Sequence, residues 1–493
     1  MIRRTPRPLG LLAALLTAAL LAAACGGDSG ETADGTNGDG DGNGNGANGT
    51  VCPVDALDDV EGIVDVTLWH AYVGLTNQTL NEVADAYNAS QDRVRIRVEN
   101  QGASYEELLR KYRQGIPSRD LPGIGIMEDT NTQFLADSGT VVPAGDCAEA
   151  DGYDGYEDFA PGVIDFYSVD GVLQPASFNV STVLLYYNRD HFEAAGLDPD
   201  SPPQTLDEMI EYARQIKEAG VVDRPVVLNM QPWFIEFWLT GAGASLVGNE
   251  NGRGEGDTTE SAFDDEVTRE LFEKLKAMQD DGLLNPVPGT EGQFDHYFAI
   301  GLQQSSMTIE TSTAVTTINS VLEGNLDPAE LGLEGELPPI DVNVDAGPFP
   351  GLDGPGQGQL GGGVWYITNT TPPEVQAAAW DFMKYVNEPE NQALWHLQGS
   401  YLPVRQATVD SDEVQDFWAN TRPGRWLRTA YDGLQKVDPE HPGPLIGPYT
   451  ETRSAVRSAL DALLFGGSSV DGAITEADRT ITRALETYAD ENF

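Results

Sequence analysis

Positive charge is scarce in this chain: 28 lysines and arginines stand against 79 aspartates and glutamates, a formal charge of −51 over 493 residues. Outside the first few residues no basic stripe survives, which excludes nucleic acid as a partner, because phosphate contacts need clustered Lys and Arg. The acids are spread along the whole length, so they describe a solvated surface rather than one acidic docking patch. Histidine is rarer still. His70, His191, His296, His396 and His441 lie far apart, and none belongs to a His-Glu-x-x-His motif. A Gly-x-Ser-x-Gly elbow and a phosphate loop ending in Gly-Lys-Ser/Thr are also missing. With these signatures absent, no enzyme activity, cofactor or metal is expected. No repeat of solenoid period occurs.

Cysteine is limited to Cys25, Cys52 and Cys147. Ahead of Cys25 come Arg3, Arg4 and Arg7, then an apolar run from Leu9 to Ala24. That run falls short of the roughly 20 residues a membrane-spanning helix needs, and its flanks are those of a secretion signal. Leu21-Ala22-Ala23-Ala24 before Cys25 resembles the lipobox of bacterial lipoproteins, with Ala22 where Leu is usual. The resemblance implies a signal peptide over 1–24 and a lipid on Cys25. Residues 25–52 would then be a flexible tether, since their Asn-Gly and Asp-Gly steps bury nothing against the entropy of ordering. With Cys25 lipidated, Cys52 and Cys147 remain for an oxidising compartment. A disulfide is the economical reading, and two separate buried thiols are the alternative.

From residue 64 the pattern turns to regular α/β. Val64, Val66 and Leu68 alternate as a strand, and Leu80, Val83, Ala84 and Tyr87 follow at helical spacing. Residues 93–99 alternate again. Ser104 with Glu107, and Thr205 with Glu208, read as capping boxes that open helices. A strand over 123–127 delivers Glu128, a second strand–helix unit starts near Thr182, and further helices are expected over 264–280, 373–386 and 450–464. This rhythm predicts parallel βαβ sheets, and roughly 470 residues after the signal suit two domains.

Trp69-His70, Asn179-x-Ser181-Thr182, Leu185-Tyr186-Tyr187-Asn188, Ala194-Ala195-Gly196-Leu197-Asp198-Pro199 and Pro203-x-Thr205 come in an order that resembles the solute-binding proteins of ABC importers. Ala378-Ala379-Trp380-Asp381-Phe382 and Gly399-Ser400-Tyr401-Leu402-Pro403-Val404 extend the likeness to most of the folded chain. Within that family it is nearest the glycerol-3-phosphate and glycerophosphodiester binders, relatives of the maltose and oligosaccharide binders. The resemblance implies a two-lobed α/β fold with a ligand cleft between lobes, 53–178 and 312–363 forming the first lobe and 179–311 and 364–493 the second. It places hinge crossings near 178–181, 309–313 and 363–367. It also implies an extracytoplasmic, lipid-anchored monomer that hands a small polar solute to ABC permease subunits in the membrane.

Carried over residue by residue, the family's ligand positions fall on Tyr105, Glu128, Ser181, Trp233, Ser312, Gly362, Tyr401 and Arg453. Polyol hydroxyls suit carboxylate and hydroxyl partners, their C–H faces suit aromatic rings, and a phosphate suits a forked guanidinium. Met230 stands where the glycerol-phosphate binders can carry a second Trp, and Ser400 replaces a customary Gly. Trp238, Trp380 and Trp395 read as core, while Trp69 reads equally as core or as ligand wall. Only Arg453 among the eight is cationic, so a zwitterionic glycerophosphodiester or an uncharged oligosaccharide is expected ahead of free glycerol phosphate. A secreted glycoside or phosphodiester hydrolase using Glu128 and Asp129 is the contrasting reading. Neighbours on a strand point to opposite faces, which suits acid–base work poorly.

Overall fold

The computed structural model describes residues 52–289, 295–324, 340–356 and 358–492. The expected signal peptide, Cys25 and nearly all of the tether lie outside the described residues. Among the described residues thirteen strands follow in chain order. They are β1 (Val64–His70), β2 (Val94–Asn100), β3 (Ile124–Glu128), β4 (Val141–Val142), β5 (Ser168–Val169), β6 (Val172–Leu173) and β7 (Ser177–Ser181), then β8 (Val183–Asn188), β9 (Val226–Met230), β10 (Leu284–Pro288), β11 (Met307–Thr311), β12 (Val344–Pro348) and β13 (Gly361–Thr368).

Eleven of them form two sheets, and β5 pairs with β6 apart from both. The first runs β2-β1-β3-β13-β4, with β7 also on β13, and the second runs β10-β9-β11-β8-β12. β1 is parallel to β2 and β3, as the alternating βαβ rhythm requires. Their connecting helix Gly74–Ser90 buries Leu80, Val83, Ala84 and Tyr87, the four residues at helical spacing. Both capping boxes form: Glu107 N–H donates to Ser104 Oγ at 3.2 Å, and Glu208 N–H to Thr205 Oγ1 at 3.2 Å. The returning carboxylates accept from the residue before each cap, Ala103 at 2.9 Å and Gln204 at 2.7 Å.

The second unit differs from the βαβ expectation. β8 lies antiparallel to β11 and to β12, while β9 is parallel to β10 and β11. The reason is the crossover: β7 ends at Ser181 in the first sheet and β8 begins at Val183 in the second, so β8 enters pointing away from the first lobe. All six of its residues are buried. Val183, Leu185 and Tyr187 join one core, while Leu184 and Tyr186 face a core continuous with that of the first lobe.

The lobe boundaries expected from sequence are corrected at two points. β12, within 312–363, pairs residue for residue with β8 of the second sheet, filling an otherwise open edge. The helix Pro373–Val386, within 364–493, packs on β1 and on the turn Val54–Leu57 of the first lobe. Residues 363–367 are likewise no hinge, because they sit inside β13 with β3 on one side and β7 on the other. The return crossing falls earlier, between Pro348 and Gly361. Arg453 stands one turn inside the helix Tyr449–Leu464, and a longer helix, Val470–Asn492, follows it.

Cys52 and Cys147 are joined in a disulfide across 95 residues of sequence, and both are buried. Closing a loop of that length restricts the unfolded chain by about 4–5 kcal/mol in the chain-entropy model. The double variant Cys52→Ser/Cys147→Ser is therefore expected to lose a few kcal/mol of unfolding free energy. Urea denaturation of the two proteins in parallel measures it.

Candidate functional site

Three strand ends build the first half of the site. β3 ends in Glu128, and β13 sets Gly363 opposite it. On the other edge of β13, Asn179 stands opposite Gly363 and Ser181 opposite Gly361. This edge, at the carboxyl end of β3 and between sheets, is where open α/β folds leave groups available to a ligand. Gly362 holds φ at 129°, and a Cβ there would run into the Asn179 carbonyl. At Gly363 a Cβ would strike the hydroxyls of Tyr105 and Tyr72. β13 is glycine here because side chains from both neighbouring segments close over its backbone.

Those side chains form an aromatic cluster. Tyr105, first residue of the Ser104-capped helix, meets Tyr72 edge-on at 6.2 Å. Tyr72 in turn meets Tyr401 at 6.0 Å and Trp395 at 6.1 Å, and its hydroxyl accepts from Asn179 Nδ2 at 2.6 Å. The Tyr105 hydroxyl is buried beside those of Tyr72 and Tyr401 without meeting hydrogen-bond geometry with a protein partner. Burial, reinforced by these two neighbours, pushes its pKa far up, so it is a neutral hydroxyl.

The second lobe contributes the helix Pro232–Gly241, with proline at its first position. Trp233 is half-buried in its first turn and meets Phe237 at 5.9 Å. Phe237 reaches across to β13, its Cζ 3.4 Å from where a Cβ on Gly361 would lie. Trp238 points into the core instead, its indole N–H donating to the Pro350 carbonyl at 2.9 Å. Ser312 is fully buried at the crossover: its N–H donates to the Thr182 carbonyl at 2.8 Å, and Thr182 N–H donates to its Oγ at 3.3 Å. Trp69 lies to one side, donating to Glu99 at 3.2 Å.

Arg453 ties the halves together. Its Nε and Nη2 donate to the two carboxylate oxygens of Glu236 at 2.7 and 2.8 Å, and its Nη1 donates to Glu128 at 2.5 Å. Glu236 belongs to the Pro232–Gly241 helix, so its pair with Arg453 stays within the second lobe. Glu128 belongs to the first, so that contact spans the cleft. The Glu236 side chain is 0% exposed and also accepts from the Tyr449 hydroxyl at 3.1 Å and Gln359 Nε2 at 3.4 Å. The Tyr449 ring, one turn before Arg453, lies 5.1 Å from the guanidinium carbon. Burial disfavours the Arg453 charge, but the Glu128 and Glu236 carboxylates outweigh it and hold the pKa well above the ordinary arginine value. Weaker cross-lobe pairs flank this one: Arg457 with Glu106 at 3.5 Å, Arg113 with Glu451 at 3.4 Å, and Tyr488 donating to Asp137 at 2.7 Å.

Asp129 is buried directly behind Glu128. Burial above all, then the charges of Glu128 and Glu236, raise its pKa well above the carboxylate range against the opposing pull of Arg453. A cavity of about 1060 Å³ opens nearby, lined from both lobes by residues that include Phe166, Arg253, Leu360, Ile446 and Tyr488. None of the eight sequence-derived residues lines it. Of those eight, Glu128 meets Arg453, Tyr105 and Tyr401 flank Tyr72, Trp233 meets Phe237 and Ser181 stands opposite Gly361, while Ser312 lies on Thr182 at the crossover. Sequence reasoning missed Glu236, Tyr72, Asn179 and Tyr449. For Glu236 a signal existed, a lone carboxylate inside the apolar helix from Pro232 to Gly241, where an unpaired charge would not be tolerated.

Two outcomes follow from these energetics. Arg453→Ala strands the buried Glu236 carboxylate and is expected to cost about 3–5 kcal/mol of stability, read by urea unfolding. With its pKa raised in the native state above the unfolded value near 4, Asp129 contributes most stability below that value and loses it as pH rises. Asp129→Asn is therefore expected to be more stable than the parent at pH 7 and to show a flatter decline, checked by melting temperatures from pH 4 to 8.

The model for bacterial extracellular solute-binding proteins matches residues 82–422. The sn-glycerol-3-phosphate-binding periplasmic protein UgpB of Rhizobium meliloti is 26% identical over 436 residues, covering 86% of this chain and 95% of that protein. UgpB of Pectobacterium atrosepticum is 25% identical over 422 residues, covering 85% and 90%. Among solved structures, UgpB from Mycobacterium tuberculosis in complex with glycerophosphocholine superposes with a TM-score of 0.68 at 18% identity, covering 86% of this chain and 99% of that one. The cyclic alpha-maltosyl-1,6-maltose binding protein from Arthrobacter globiformis gives 0.67 at 23%, covering 86% and 100%. With its two sheets, its crossovers and this extent of match, the chain belongs to the bacterial extracellular solute-binding protein family.

Proposed function

We propose that this protein is the lipid-anchored receptor of an ABC importer. It captures glycerol 3-phosphate or a glycerophosphodiester between its lobes and delivers it to the permease. Tyr105, Glu128, Ser181, Trp233, Ser312, Gly362, Tyr401 and Arg453 line the site. The observation that carries the reading is the contact of Arg453 in one lobe with Glu128 in the other. It is a polar junction that a hydroxyl-bearing solute can enter when the lobes part, exchanging one charge-assisted hydrogen bond for others. The UgpB relatives supply the solute class. No bond is made or broken in such a receptor; its work is the difference in affinity between open and closed states. Cys25 carries the lipid after removal of residues 1–24, the tether holds a monomer at the outer face of the membrane, and the solute is handed on there.

A second reading is a neutral sugar or oligosaccharide. Glu236 favours it, because the Arg453 guanidinium already holds a full carboxylate, and the fold likeness to maltose-type binders agrees. A hydrolase is the least supported reading: Asp129 is sealed behind Glu128 rather than facing it across a cleft.

Calorimetry with glycerophosphocholine, glycerol 3-phosphate and maltose decides between the first two. Saturable binding of a glycerophosphoryl compound is expected, and tight binding of maltose alone would end the phosphoester reading. Mass spectrometry of the membrane-extracted protein is expected to find an acylated Cys25 at the N-terminus.

A further inference from the structure

We infer that Glu236 sets the charge selectivity of the cleft, restricting it to solutes of zero net charge and turning away dianionic phosphate monoesters. The inference rests on the receptor reading and narrows its substrate class to zwitterionic phosphodiesters and uncharged polyols.

Arginine recognises a phosphate or carboxylate through two parallel N–H groups on one edge of its planar fork. In Arg453 the Nε–Nη2 edge is occupied on both positions by Glu236, at 2.7 and 2.8 Å. Glu236 is not free to turn away, since Tyr449 and Gln359 donate to the same oxygen that accepts from Nη2. Both partners belong to the second lobe, so opening the cleft leaves this pair intact while Glu128 is released from Nη1. An entering solute therefore meets a cancelled Arg453–Glu236 pair and one uncompensated carboxylate, Glu128.

The cations flanking this site are matched by acids: Arg457 and Arg113 pair across the cleft with Glu106 and Glu451, so each guanidinium that opening releases is accompanied by a released carboxylate. Arg253 lines the neighbouring cavity, where its Nε and Nη1 donate to the Gly443 and Phe166 carbonyls. A solute with two negative charges would find the paired edge of the Arg453 fork already filled by Glu236 and the Glu128 carboxylate facing it, on a strongly acidic protein. A sugar hydroxyl, or a phosphodiester whose charge is balanced by a cationic head group, meets no such penalty. Its hydroxyls can donate to Glu128, and its apolar or cationic face can lie on the half-exposed Trp233.

The test compares affinities at fixed low salt by calorimetry. The wild-type protein is expected to bind glycerophosphocholine or maltose at least 30-fold more tightly than glycerol 3-phosphate. Glu236→Gln keeps the shape and one acceptor for Arg453 but removes the charge. It is expected to raise affinity for glycerol 3-phosphate, and for inorganic phosphate used alone, by at least 10-fold. Adding Arg453→Gln to that variant should abolish the gain. Equal wild-type affinity for glycerol 3-phosphate and glycerophosphocholine overturns the inference without any variant, so it stays testable if Glu236→Gln folds poorly. Unchanged phosphate affinity in a folded Glu236→Gln overturns it as well. If the wild type binds none of the three organic solutes while Glu236→Gln gains phosphate through Arg453, the receptor reading for these solutes fails and the role of Glu236 stands.

Discussion

A single guanidinium shared by two carboxylates organises this molecule. Arg453 would be costly to hold 15% exposed without partners, and Glu236 would be costlier still with its side chain wholly enclosed. Each makes the other tolerable. The Pro232–Gly241 and Tyr449–Leu464 helices are pinned together by that pair, which fixes the second lobe's face toward the cleft. Glu128 then completes the coordination from the first lobe. One interaction lies within a lobe and the other spans the two, and the difference follows simply from which lobe each acid belongs to.

The first lobe answers with backbone as much as with side chains. Gly362 and Gly363 let β13 run under the Asn179 carbonyl and the hydroxyls of Tyr72 and Tyr105 without a clash. β13 is also where the chain returns from the second lobe, and β7, its neighbour, is where the chain leaves. The strands that form the hinge region therefore also carry the residues at the junction. The two lobes are joined there by covalent continuity, with Ser312 and Thr182 locking the crossover through two hydrogen bonds.

An excess of acids over this surface shapes the electrostatics without defining the site. Screening limits surface charges to about 8 Å at physiological ionic strength, so what a solute feels is the local arrangement. There the ordinary roles are redistributed. Asp129 is buried, which pushes its pKa up, Glu236 is enclosed against Arg453, and Glu128 meets the same guanidinium from the other lobe. Counting charges along the chain could not have separated these three acids, which differ only in what surrounds them.

Much of the architecture was legible from local pattern. Helices over 264–280 and 373–386, the capping boxes at Ser104 and Thr205, and the strand delivering Glu128 depend on spacing and on side chains within one turn, which a sequence displays directly. The order of family motifs nominated both Glu128 and Arg453, 325 residues apart, and the two side chains meet in a hydrogen bond. Pairing across distance was another matter. That β12 would close the open edge of β8, that β8 would run antiparallel, and that Arg453 would give its fork to Glu236 instead of to a solute are decided by which surfaces meet once two lobes have formed. Long-range partners compete on geometry and desolvation, quantities that exist only in three dimensions, whereas periodicity and capping are settled by the chain against itself.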